Sequence, residues 1–200
     1  MAFLKVGRGS ETQSFIRGAS VLLRPYVASD YVQWAELRAR SREHLRPWEP
    51  AWPHDDLTRA AFRRRIRHYQ REAREDLGYA FGIFDERGSE LRGGLTLTNV
   101  RRGITQSASL GYWLGLPFVK RGIMTDAVRT VVVHAVEDLR LHRIEAASMP
   151  SNTASIRVLE RVGFVREGFA RRYLKINGVW QDHVLFALLA DDIARGTGDE

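Results

Sequence analysis

The stretch from Gly115 to Leu139 constrains this chain more than any other part of it. After Gly122 the apolar residues Ile123, Ala127, Val128, Val131, Val132, Ala135, Val136 and Leu139 recur at helical spacing, so one stripe of a long helix must be buried. The β-branched run Val131-Val132-Val133 favours a strand locally, but the pattern is too long for one. Pro117 and Gly122 punctuate the loop that leads in. Apolar segments at 79–85, 91–100 and 108–114 precede the helix, and 143–148 follows it; all four read as strands, with Arg87-Gly88-Ser89 as a turn.

The rest of the chain completes one α+β domain. Val21-Leu22-Leu23 reads as a first strand ended by Arg24-Pro25. Ser29 and Asp30 offer caps for a helix over 31–40. Three prolines between residues 45 and 53 forbid a continuous helix there. A second helix is expected over 57–74, with Ala61, Phe62, Ile66 and Tyr69 facing inward. A short helix over 153–161 is closed by Gly163. Segments 164–176 and 180–189 flank Asn177-Gly178, the strongest short-range hairpin signal. The expected fold is a mixed, mostly antiparallel sheet with helices on both faces. Residues 1–19 are expected to be loose, 20–190 to form the domain, and 191–200 to be a polar tail.

Composition narrows the chemistry. The chain of 200 residues has no cysteine, which excludes disulfide scaffolds, thiolate metal sites and cysteine nucleophiles. No apolar run approaches the roughly 20 residues of a membrane span, and residues 1–20 lack the apolar core of a signal peptide, so a cytoplasmic address is expected. His44, His54, His68, His134 and His142 show no ligand spacing, and no metal is expected. A formal net charge of +7 suits acidic partners such as nucleic acid or a phosphorylated cofactor, and equally suits plain solubility.

The loop Phe118-Val119-Lys120-Arg121-Gly122-Ile123-Met124 opens the long helix. Amides at a helix start lack internal partners and carry partial positive charge, which makes a pyrophosphate site. Lys120 and Arg121 add full charges, and Gly122 lets the backbone come close. Alone, this describes many surface loops. Its neighbours are more specific: Leu-Arg-Pro-Trp-Glu-Pro at 45–50, Leu-Gly-Tyr at 110–112, Arg-Gly-Ile-Met at 121–124, Met-Pro-Ser-Asn at 149–152, Arg-Val-Gly-Phe at 161–164 and Asp-His-Val-Leu at 182–185. In that order the series resembles the GCN5-related N-acetyltransferases (GNAT superfamily), within them the ribosomal-protein-alanine acetyltransferases of the RimJ/RimL type, and most of all the RimJ branch. The likeness runs from about Val21 to Leu189.

The resemblance implies an enzyme that moves acetyl from acetyl-CoA to an amine. It implies two parallel strands that splay around the cofactor's pantetheine arm, here 110–114 and 143–148, with a backbone N–H near Trp113 or Leu114 polarising the thioester. Tyr112, Trp113, Leu114, the loop residues Lys120, Arg121, Gly122, Ile123, Met124 and Thr125, and Asn152 and Ser155 become the cofactor contacts, with Ser155 the acid for the departing thiolate. Asn152 and Ser155 also suit ordinary helix capping. Two departures stand out: Val119 and Met124 replace the Gln/Arg and small residue usual in the acyl-CoA loop, and Leu174 stands where some RimL-type enzymes carry a glutamate base. The remaining base candidate is Glu49, in the proline loop between Trp48 and Trp52, where desolvation would raise a carboxylate pKa. Asp182 and His183 are read as structural or as substrate wall.

The expected acceptor is a protein N-terminal α-amine, the alanine or serine of a small-subunit ribosomal protein. A small-molecule amine is the alternative. Arg63, Arg64, Arg65, Arg67, Arg71 and Arg74 give the second helix a basic face, tempered by Glu72, Glu75 and Asp76, which leaves open a ribosome- or RNA-binding role. A module that only senses acyl-CoA is a further alternative. No membrane contact is expected.

Overall fold

The computed structural model describes residues 15–196. Its elements are β1 (Ile16–Arg17), β2 (Leu22–Arg24), α1 (Tyr31–Arg40), α2 (Arg42–Leu45), α3 (Arg59–Arg74), β3 (Tyr79–Phe84), β4 (Leu91–Arg101), β5 (Ser107–Leu114), α4 (Ile123–Glu137), β6 (Arg143–Ser148), α5 (Thr153–Val162), β7 (Val165–Ile176), β8 (Val179–Leu189) and α6 (Ala190–Gly196). The eight strands form one sheet in the order β1-β2-β3-β4-β5-β6-β8-β7. Every neighbouring pair is antiparallel except β5 and β6, which α4 joins as a crossover. The expected α+β architecture is therefore present.

Helices cover both faces because strand side chains alternate. Phe81 of β3 meets His134 of α4, ring centroids 6.0 Å apart. On the other face Tyr26 packs edge-on against Phe62 of α3, and Trp34 of α1 lies 4.8 Å from the same ring. The α4 stripe is buried at Ile123, Ala127, Val128, Val131, Val132 and Ala135, as its spacing requires. Phe62 and Ile66 are buried from α3, with Ala61 and Tyr69 half-buried.

Several expectations need correction. Residues 16–17 pair with Leu22 and Leu23 instead of lying loose. This corner is tied down by Asp126 of α4, whose carboxylate accepts the Ala19 and Ser20 amides and the Ser20 hydroxyl. The rest of the expected loose segment, residues 1–14, lies outside the described residues, as do 197–200. The expected polar tail begins as α6, whose Asp192 carboxylate accepts the Leu189 amide at 3.0 Å. Asp30 does not cap α1: its carboxylate takes both Arg24 guanidinium nitrogens at 2.8 Å and the Val27 amide. The expected helix over 57–74 starts at Arg59, with Thr58 accepting the Ala61 amide as its cap.

Candidate active site

The site lies where β5 and β6 part. Their parallel pairing runs from Ser107↔Arg143 to Leu110↔Ala146 and stops. β5 stays paired with β4 as far as Leu114↔Gly93, and β6 with β8 as far as Ser148↔Val184. Residues 111–114 therefore have a sheet partner on one side only. The Gly115 amide donates across to Arg92 of β4. Because amide direction alternates along a strand, the Leu114 and Tyr112 amides face the opposite way, into the gap. Of the two donors named from the sequence, the backbone direction selects Leu114 over Trp113.

A cleft of about 780 Å³ fills the gap. Its wall includes all eleven residues named from the sequence as cofactor contacts, and Glu49 as well. Along one end runs the start of α4. Gly122 is its N-cap, with φ +77°, and provides no side-chain cap. Lys120 is also left-handed, at φ 62°. Asp126, the acid of the first turn, is engaged by residues 19 and 20, so the first-turn amides keep their partial positive charge. A Cβ at Gly122 would meet nothing within 4 Å. The glycine is needed there for its backbone angle, and the space above it stays open for a ligand. These features fit a pyrophosphate. Deeper in, the Ser148 hydroxyl is buried without a partner and lines the same cleft, which fits a ligand with amide groups.

α5 begins on the opposite wall. Asn152 Oδ1 accepts the Ser155 amide at 3.1 Å, which is an ordinary N-cap. Ser155 Oγ lies 2.9 Å from the Tyr112 hydroxyl, which also donates to the Ser155 carbonyl at 3.2 Å. Burial pushes the Tyr112 phenol up to about 12, so it stays protonated at neutral pH. The sequence reading grouped Tyr112 with the cofactor contacts but did not foresee this pairing.

Glu49 sits in surroundings the sequence did not announce. Its two carboxylate oxygens each accept from an Arg38 guanidinium nitrogen at 2.8 Å, and Oε2 also accepts from Trp52 Nε1 at 2.6 Å. The expected base, read as partly desolvated, is thus a carboxylate clamped by three hydrogen bonds from Arg38 and Trp52. Arg38 is buried, and lies between the indoles of Trp52 at 4.2 Å and Trp113 at 5.0 Å. The Trp113 side chain therefore helps hold the proline loop. That loop is tied to the final hairpin by the Asn177 amide, which donates to the Glu49 carbonyl at 2.9 Å. His183 is buried and lines the cleft. Among the described residues no cluster of three or more metal-ligating side chains occurs, and no helix is long and apolar enough to cross a membrane.

A pair of splayed parallel strands, an uncapped helix start beside cations and a hydroxyl pair across the gap fit a ligand with a pyrophosphate at one end and a reacting group at the other, as the resemblance to coenzyme-A-dependent acyl transferases implies. Residues 20–165 match the model of the acetyltransferase (GNAT) domain, and the chain belongs to that family. It is an acetyl-CoA-dependent N-acetyltransferase. Among curated proteins it is 40% identical to the probable N-acetyltransferase YjcK of Bacillus subtilis, over 88% of this chain and 98% of the relative. It is 33% identical to the [ribosomal protein uS5]-alanine N-acetyltransferase of Escherichia coli, over 81% and 84% of the two chains. Among solved structures, Mycobacterium smegmatis RimJ in complex with CoA-disulfide superimposes with a TM-score of 0.82 at 32% identity, covering 92% of this chain and 94% of that one.

Proposed function

We propose that the acceptor is the N-terminal α-amine of a protein, the terminal alanine or serine of a small-subunit ribosomal protein. The observation that carries this is the similarity to the Escherichia coli enzyme named for ribosomal protein uS5, which extends over both the proline loop and the strands beside the gap. The chemistry agrees. An α-amine titrates near 7.7–8.0 and a lysine amine near 10.4, so at neutral pH far more of the α-amine is already neutral. The bridge from Asn177 to Glu49 joins two walls of the cleft, which favours a chain end over a side chain on a folded surface.

In this reading acetyl-CoA, when bound, supplies the activated acyl group as a thioester. The amides of residues 122–125, with Lys120 and Arg121, hold the pyrophosphate. Ser148, Asn152 and the strand edge of β6 orient the pantetheine arm. The Leu114 amide points where negative charge develops on the thioester oxygen; such a donor, correctly placed, is typically worth roughly 10²–10³ in rate. Ser155 Oγ protonates the leaving sulfur, its hydroxyl positioned by Tyr112. Glu49 supplies negative charge beside the acceptor and fixes the loop through Arg38. The basic face of α3 has a docking role on ribosomal RNA, where Arg63, Arg67 and Arg74 present their exposed side chains.

Peptides that begin with free alanine or serine should be acetylated, whereas the same peptides with a blocked terminus and an internal lysine should not. Mass spectrometry of the products decides. Reaction of the blocked peptides, or of polyamines and aminoglycosides alone, would refute the acceptor assignment.

A further inference from the structure

The cleft needs a group that can accept the acceptor's proton, and Glu49 is clamped by Arg38 and Trp52. The final strand offers another. His183 is only 3% exposed, yet lines the cleft with Glu49 and Ser148. Its Nδ1 lies 3.0 Å from the Gln181 carbonyl oxygen. A carbonyl can only accept, so Nδ1 carries the hydrogen and Nε2 keeps a free lone pair. No hydrogen bond among the described residues occupies Nε2. The ring is held by Tyr173, whose centroid is 5.8 Å away at an interplanar angle of 68°.

Register places this imidazole on the acceptor's side. Leu185 pairs with Ala147, so by alternation His183 shares the sheet face of Ala147, as does Gly111, next to the last paired position. A second hollow of about 550 Å³ opens on that face, with Tyr173 and Leu185 in its wall. It meets the main cleft at Leu110, Gly111, Ala146 and Ala147, where the strands separate. An amine that enters from this hollow reaches the gap next to the strand that carries His183, opposite the α4 end of the cleft.

We infer that His183 Nε2 takes the proton of the acceptor amine as the amine nitrogen attacks the thioester carbon. The N–C bond forms and the C–S bond breaks, with its electron pair leaving on sulfur. The amine proton passes to Nε2, and the sulfur is protonated from Ser155 Oγ. The imidazolium then releases its proton to water, and Ser155 regains one from water. Imidazole is the side chain whose basicity suits this near neutral pH. The charged and titratable groups that line the cleft with it are Glu49, which is paired with Arg38, and His44, Tyr112, Lys120, Arg121, Arg157 and Arg161, and Tyr173 lies against the ring. The assignment rests on the proposed orientation of the cleft and holds whichever amine is the acceptor.

The test compares wild type with His183→Gln and His183→Ala, following release of the coenzyme A thiol with an alanine-terminated peptide. Glutamine keeps an amide that can donate to the Gln181 carbonyl but cannot take a proton, so it decides the matter should the alanine variant fail to fold. Both variants should lose roughly 10²–10⁴ in turnover. Both should keep the wild-type thermal shift with acetyl-CoA, and added imidazole should partly restore His183→Ala. Undiminished turnover overturns the inference, as does a loss confined to the KM of the amine, which marks a mere wall residue. Wild-type inactivity on the peptide, with activity on another amine, refutes only the acceptor proposed above, and the same comparison is then made with that amine.

Discussion

Arg38 links two parts of the site that are far apart in the chain. Its guanidinium bonds both Glu49 oxygens, lies 3.8 Å from Asp56 and packs against Trp52 and Trp113, while its Nε is buried without a partner. A charge so enclosed depends on its carboxylates, because leaving it uncompensated costs far more than an exposed pair is worth. Glu49→Gln should therefore lower stability by about 1.5–3 kcal/mol, a fall in Tm of roughly 3–12 °C for a chain of this size. Turnover should fall with it while the KM for acetyl-CoA holds. Thermal denaturation alongside steady-state kinetics checks this; wild-type stability in the variant would show that the clamp contributes nothing. The sequence reading found Glu49 through its prolines and tryptophans but missed its partner. Arg38 lies eleven residues earlier, across a turn, and no short-range spacing marks a pair of that kind. Asn152 and Ser155 were legible because a cap and a helix start are local.

Local elements were the most readable part of the fold. Asn177 and Gly178 take φ of 43° and 84°, the double left-handed geometry that a tight hairpin requires. Gly163 closes α5 at φ 104°. The strand at residues 16–17 was not legible: two residues carry no periodicity, and the turn that folds them onto Leu22 and Leu23 is tied at Ala19 and Ser20 by Asp126, more than a hundred positions away. The start of α4 was legible as a candidate ligand site because its cations and glycine are consecutive in the chain. Its glycine faces open space at a left-handed backbone angle, so an added side chain would be strained and would fill the room left for a ligand. A β-branched residue is a genuine outlier at such an angle. Gly122→Val should pull the loop out of register with the first-turn amides and cost roughly 1–3 kcal/mol locally. The KM for acetyl-CoA should rise more than that for the amine, as initial rates against each substrate will reveal. A folded variant with unaltered cofactor affinity would contradict the assignment.

At the scale of the whole molecule, one sheet opens a cleft because its parallel pair of strands stops pairing halfway. Acetyl-CoA, in the proposed placement from the gap to α4, should stabilise the entire domain by mass action, by about 2.7 kcal/mol at a hundredfold excess over its Kd. Pantetheine, which lacks the pyrophosphate, should need far higher concentrations for the same shift in a thermal melt. Equal affinity for the two would remove the α4 start from the site. The sheet order itself was only partly foreseeable: the strands followed from pattern and the parallel, splaying pair from the family resemblance, whereas the residue at which β5 and β6 separate was not marked by any local signal. That separation has a consequence for how the enzyme can be dissected and how it can diverge. Apart from the Tyr112 hydroxyl, the donors that residues 111–114 turn toward the gap are the main-chain amides of Tyr112 and Leu114, which every amino acid except proline provides equally. An alanine scan would register Tyr112 through its hydroxyl and Trp113 through Arg38, yet would pass over the Leu114 amide. By the same token, a side-chain exchange at Leu114 would leave that amide where it is, free to face the same ligand whatever residue carries it.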